Sequence, residues 1–124
     1  MDITESTPLP IKSDIFSVIQ VTENTLLEDS VGADVVSVEP NQTSQIHRHN
    51  ESETVLYILE GSGSVVVENQ KIQVSAGQQL CINKGQFHGV ITTDDSLRFL
   101  SIQSPPILNK LRGTLHIEEL GSSK

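Results

Sequence analysis

From Val31 onward, apolar residues come in short runs, broken by turn residues at intervals of about eight to twelve positions. Ala33 to Glu39 is one run and stops at Pro40-Asn41. Ser44 to His49 stops at Asn50, and Glu53 to Leu59 stops at Gly61-Ser62-Gly63. Ser64 to Val67 and Lys71 to Val74 flank Glu68-Asn69-Gln70, which reads as a hairpin. Gln79 to Ile82 follows Ala76-Gly77. Gly89 to Thr92 and Leu97 to Gln103 flank Thr93-Asp94-Asp95-Ser96, a second expected hairpin, and Ile15 to Val21 reads as a first strand. No stretch of this region keeps a helical period long enough for a sizeable helix. Many short, evenly spaced strands predict an all-β sandwich or barrel.

The two ends break this rhythm. Met1 to Ser13 is polar and carries Pro8 and Pro10, so it reads as a loose arm or an edge segment. Pro105-Pro106 ends the strand-rich region. Beyond it, the spacing of Ile107, Leu108, Leu111 and Leu115 allows a short amphipathic helix, or an arm that packs on its own barrel or on a partner. The expected division is an arm over 1–14, a barrel over 15–104 and a C-terminal segment over 105–124.

Composition narrows the class. A chain of 124 residues is one domain by size. Only 3% of its residues are aromatic and none is Trp, which leaves few rings to stack bases or sugars. The formal net charge of −8 disfavours nucleic acid and anionic membranes as partners, and otherwise reads as solubility. Cys81 is the single cysteine, so an intrachain disulfide and a cysteine zinc knuckle are both excluded; set between Leu80 and Ile82, it reads as a small buried hydrophobe. No secretory leader or membrane-spanning run is visible, and a cytoplasmic location is the expectation.

The histidines bring in chemistry. His47 and His49 lie two apart in an expected strand, which puts both imidazoles on one face. Glu53 follows four positions later, and His88 lies in another strand or the turn before it. Three imidazoles and a carboxylate make a mixed N/O site suited to Fe(II), Mn(II), Ni(II), Zn(II) or Cu(II). His116 reads as a surface residue, Arg48 alternates away from the histidines, and Tyr57 reads as a packing residue.

The arrangement resembles the cupin superfamily. Its first motif runs Gly, five residues, His-x-His, three or four residues, Glu, six residues, Gly. Here Asn41 stands in for the first Gly, and Asn tolerates the left-handed turn that Gly supplies. Five residues then lead to His47-Arg48-His49. The second motif runs Gly, five residues, Pro-x-Gly, two residues, His, three residues, Asn. It is matched by Gly77, Asn83-Lys84-Gly85, His88 and Thr92, with Asn83 in place of Pro and Thr92 in place of Asn. The resemblance implies a double-stranded β-helix, or jelly-roll barrel, with a divalent transition metal at His47, His49, Glu53 and His88.

The carboxylate position has two anchors that differ by one residue. Counted forward from His49 at the shorter spacing it is Glu53; counted back from Gly61 it is Thr54. A one-residue slip turns a strand side chain to the other face, and a bulge can absorb it. Glu53 facing inward is the expectation, with Thr54 the alternative; both faces of this run are apolar, so alternation does not choose. An inward fourth ligand favours a metal-dependent oxygenase, isomerase or lyase acting on a small organic molecule. An outward Glu53 favours a non-catalytic small-molecule-binding or sensor module. A homodimer is the family's expectation, with the N-terminal arm and the segment after Pro106 as its contacts.

Overall fold

The computed structural model of the protein describes residues 8–109, 114–115 and 118–122, and its described elements are all strands. In chain order they are β1 (Ile11–Ser13), β2 (Phe16–Gln20), β3 (Gly32–Val38), β4 (Gln45–Arg48), β5 (Glu53–Val67) and β6 (Gln70–Ser75). There follow β7 (Gln79–Ile82), β8 (His88–Ile91), β9 (Leu97–Ser104), β10 (Leu108–Asn109), β11 (Thr114–Leu115) and β12 (Glu118–Ser122). No described helix is long and apolar enough to cross a membrane.

The long strand β5 belongs to two sheets. Its first half pairs with β9 and β7, and its second half with β6 and β8. All of these pairings are antiparallel. The first sheet runs β1-β2-β3-β9-β5-β7, and the second β6-β5-β8-β4-β12. Gly61-Ser62-Gly63 is therefore a corner within one strand, not the strand end expected there. A register shift between Ile58 and Glu60, followed by Gly61 at φ +79°, turns the strand from one sheet into the other. A Cβ on Gly61 would collide with the backbone oxygen of Ser96, so only glycine fits.

The expected hairpin across Thr93 to Ser96 is also corrected. β8 pairs with β4 and β5 in the second sheet, whereas β9 pairs with β3 and β5 in the first. The connection crosses between the sheets and is tied down by Asn41 N–H to the Thr93 carbonyl at 2.9 Å and by Ser62 Oγ to Asp95 at 2.8 Å. The Glu68-Asn69 turn does close the β5–β6 hairpin, with Glu68 at φ +54°.

The core lies between the two sheets. Val36, Val38, Leu56, Ile58, Ile82, Leu97 and Phe99 come from the first, and Val65, Val74 and Val90 from the second. Strict alternation along β3 and β9 selects the inward set, Gly32, Asp34, Val36 and Val38 on one and Leu97, Phe99, Ser101 and Gln103 on the other. The same rule corrects Cys81. Ile82 is buried and Leu80 half-buried, so Cys81 between them points out and is exposed.

The amphipathic helix allowed after Pro106 is not formed among the described residues: Leu108–Asn109 and Thr114–Leu115 pair as short strands. β12 pairs with β4, and β1 with β2, so both terminal segments have pairing partners within the chain. His116 lies outside the described residues.

Candidate metal centre

His47 sits on β4 directly opposite His88 on β8, and His49 follows just past the end of β4. The three ring centroids are 4.4 Å (47–88), 5.1 Å (47–49) and 5.1 Å (49–88) apart. One nitrogen from each ring lies within 4.8 Å of the other two. Residues separated along the chain but paired across strands supply a cluster that can hold a metal ion.

Backbone carbonyls orient two of the rings. His47 Nδ1 lies 3.2 Å from the Gln45 oxygen, and His88 Nδ1 lies 3.0 Å from the Gln86 oxygen. A carbonyl only accepts, so Nδ1 carries the proton in each ring and Nε2 keeps its lone pair for an ion. His88 is held neutral. Burial, and then the neighbouring His47, push its imidazole down to about 3, against the raising effect of the Gln86 carbonyl and with a smaller lowering from His49. A neutral imidazole is the form that binds metal. The donor set thus fits a first-row divalent ion.

Glu53 does not join the histidines. Its side chain is exposed and accepts a hydrogen bond from the Lys84 backbone N–H at 3.0 Å. The expected inward turn of Glu53 is corrected by this contact. The bulge that could have absorbed the extra residue lies further along, between Ile58 and Glu60, so Thr54 takes the inward position. Glu53 clamps the turn before β8. The same turn is held by Gly85 N–H to the His49 carbonyl at 2.9 Å and by Asn83 N–H to Gln86 Oε1 at 2.8 Å. A proline at Asn83 would lack that donor. Gln86 in this turn in turn orients His88.

The other sequence departures also find local roles. Asn41 adopts φ +60°, the left-handed turn its motif position requires. Thr92 accepts from Gln42 N–H at 3.0 Å and donates to the Glu39 carbonyl at 2.5 Å, joining the end of β8 to the β3–β4 connection. Arg48 lies over the Phe87 ring at 4.6 Å.

The histidines open onto a cavity of about 360 Å³ between the two sheets. Asp34, Thr54, Leu56, Phe99 and Ser101 line the wall of the first sheet. Asp34 and Ser101 were not singled out from the sequence. The signal existed, because both share the inward parity of apolar core neighbours, Val36 and Phe99. Tyr57 and Glu51 are exposed and lie outside this wall.

The cupin domain model matches residues 34–103. The chain belongs to the cupin family. No curated protein matches it. Among solved structures, a Streptomyces nucleoside dehydratase superposes with a TM-score of 0.73 at 12% identity, covering 95% of this chain and 92% of that one. A variant of it holds uridine. A predicted oxalate decarboxylase from Thermotoga maritima superposes at 0.73 with 17% identity, covering 85% and 99%. A Thermus thermophilus protein superposes at 0.65 with 24% identity, covering 73% and 84%. These likenesses carry the fold: this cupin is an all-β barrel of the jelly-roll type.

Proposed function

We propose that His47, His49 and His88 hold a first-row divalent ion, Fe, Mn, Ni, Zn or Cu, and that the protein acts as a metal-dependent enzyme on a small, oxygen-bearing organic molecule. The observation that carries this is the three-histidine cluster, with its nitrogens within 4.8 Å, facing a cavity of about 360 Å³. That volume falls at the small end of the range of about 300–1,000 Å³ usual for small-molecule pockets. When bound, such an ion supplies Lewis acidity to a substrate oxygen. His47 and His88 would hold the ion through Nε2, with a ring nitrogen of His49 as the third donor, while Leu56 and Phe99 restrict water on the facing wall. With no carboxylate among the three ligands, none of the ion's charge is neutralised by direct ligation, which favours anionic or chelating oxygen groups on the ligand.

The nucleoside dehydratase and the predicted oxalate decarboxylase are both lyases by name, and they support a reading of bond cleavage beside an oxygen-bearing carbon. The outward Glu53 favours a second reading, a cupin that binds its small molecule without turnover. We also place the protein in the cytoplasm as a homodimer, in keeping with its single, unpaired cysteine and the family expectation.

Elemental analysis of untagged protein tests the metal. About one first-row ion per chain is expected, with His88→Ala losing it and Glu53→Gln retaining it. Absence of any transition ion after purification and after titration would sink the proposal. A turnover screen on the metal-loaded protein then separates the enzyme from the binding module.

A further inference from the structure

Three polar groups, Asp34, Thr54 and Ser101, sit on the cavity wall of the first sheet, and a fourth, Gln103, is bonded to Asp34 and Ser101, where the core is otherwise apolar. Asp34 on β3 lies opposite Ser101 on β9, and Gln103 on β9 lies opposite Thr54 on β5. All four are at least nine-tenths buried, Asp34 at 5% exposure, Thr54 at 5% and Gln103 at 1%. Gln103 Nε2 donates to Asp34 Oδ2 at 2.9 Å, to Ser101 Oγ at 2.6 Å and to the Ser101 carbonyl at 3.1 Å. Gly32 makes room for this amide, because a Cβ there would collide with Gln103 Oε1. The amide thus locks one oxygen of the carboxylate. The other, Oδ1, has no partner among the described residues.

Thr54 adds an independent observation. Its hydroxyl is buried, lines the same cavity and has no hydrogen-bond partner among the described residues. An unpaired buried hydroxyl costs about 1–3 kcal/mol, so its presence on a ligand-sized cavity points to a partner that arrives with the ligand. Burying a carboxylate is costlier still, and burial does push the Asp34 carboxyl above its ordinary range against the lowering effect of Gln103.

We propose that Asp34 Oδ1, with the Thr54 hydroxyl beside it, forms a recognition subsite for a hydroxyl-bearing tail of the ligand whose oxygen-bearing head binds at the histidines. The inference rests on the metal-dependent reading above. Asp34 accepts a hydrogen bond from a ligand hydroxyl, and Thr54 completes the pair as donor or acceptor. A ligand with a carboxylate at that end is excluded by repulsion from Asp34. The ligand class is therefore a polyhydroxylated acid or sugar derivative, anionic or chelating at one end and neutral and hydroxylated at the other.

The test uses 2-hydroxy acids that share one head and differ in the tail. D-Glycerate, D-erythronate and D-ribonate carry hydroxylated tails of increasing length. D-Lactate, D-2-hydroxybutyrate and D-2-hydroxyvalerate are their partners without tail hydroxyls, and D-malate and D-2-hydroxyglutarate end in a carboxylate. Each is titrated calorimetrically into zinc-loaded and metal-free protein. With zinc, at least one hydroxylated acid is expected to bind about tenfold tighter than its partner, as one hydrogen bond to a charged group predicts, and the diacids more weakly than either. In Asp34→Asn, checked for unchanged circular dichroism and zinc content, that preference falls to within about threefold and the diacids recover. Thr54→Val, the milder change, weakens the hydroxylated acids alone. A tail preference that survives Asp34→Asn, or its absence from the wild type at every length, overturns the subsite while leaving the metal reading in place. If no acid binds better with zinc than without it, the metal reading itself fails.

Discussion

Asp34 and Thr54 are groups whose burial works against folding, and this makes their stability effects predictable in sign. Burial raises the Asp34 carboxyl above its ordinary value in the folded protein, so the folded state holds that proton more tightly than the unfolded chain does. The stabilising contribution is full below the unfolded value and is lost as pH rises through the raised folded value. By neutral pH the carboxylate is a net penalty. No other charged side chain on the paired strands offsets it: β2 sets Gln20 beside Asp34 and β9 sets Ser101. The other titratable groups on the cavity are Asp14 and the three histidines. Asp34→Asn is therefore expected to raise the melting temperature of metal-free protein by a few degrees at neutral pH, with the gain shrinking toward zero in acid. A difference that does not vary with pH, or a loss at neutral pH, would contradict this. Thr54→Val removes an unpaired hydroxyl with little change of shape, and urea unfolding should show a gain of about 1 kcal/mol.

The strands show which local signals carry to the fold and which need a partner to be read. Asn41 was legible: it stands at a glycine position of the motif, and the structure gives it the left-handed φ of +60°. Asn41→Gly should be tolerated, whereas Asn41→Ala should cost about 1 kcal/mol in chemical denaturation. Gly61 was legible as an interruption but not as a corner, because a glycine in a strand is compatible with a reversal or a bend. Only the pairing of β5 with two different sets of strands distinguishes them. Gly61→Ala combines the left-handed backbone with a collision at the Ser96 carbonyl, and a loss of about 3 kcal/mol is expected. The choice between Glu53 and Thr54 was not legible for a similar reason. Val55, Tyr57 and Leu59 are as apolar as Leu56 and Ile58, so alternation carried no information about which face turned inward. The deciding contact, Lys84 N–H to Glu53, joins residues 31 apart in sequence.

For the whole molecule, strand rhythm and two histidine motifs made the all-β barrel legible, because both are local patterns. Its surface chemistry was less so. The N-terminal arm and the segment after Pro106 were the contacts expected for a homodimer, with packing on the chain's own barrel the alternative for the latter; β1 pairs with β2 and β12 with β4. The outer face of the first sheet offers a different contact. Two adjacent rungs there read Ala33, Ile102, Val55, Cys81 and Val35, Leu100, Tyr57, Gln79, a patch with a single polar amide and no charge. Tyr57 is 42% exposed, Ile102 40%, and Cys81 is exposed with them. If the proposed homodimer forms, a second copy of the chain can cover this apolar face with the same face about a two-fold axis. The net charge of −8 opposes self-association at low salt but is screened at physiological ionic strength. Light scattering at physiological salt should give the mass of a dimer. Ile102→Lys should give a monomer with unchanged circular dichroism. Leu26→Lys, in the exposed loop after β2, should leave the dimer intact. Cys81 is the only thiol in the chain, so its labelling rate reports on the same face. It should be slow in the wild type and fast in Ile102→Lys. A monomeric wild type, or a dimer that persists in Ile102→Lys with Cys81 still reactive, would exclude this face as the interface.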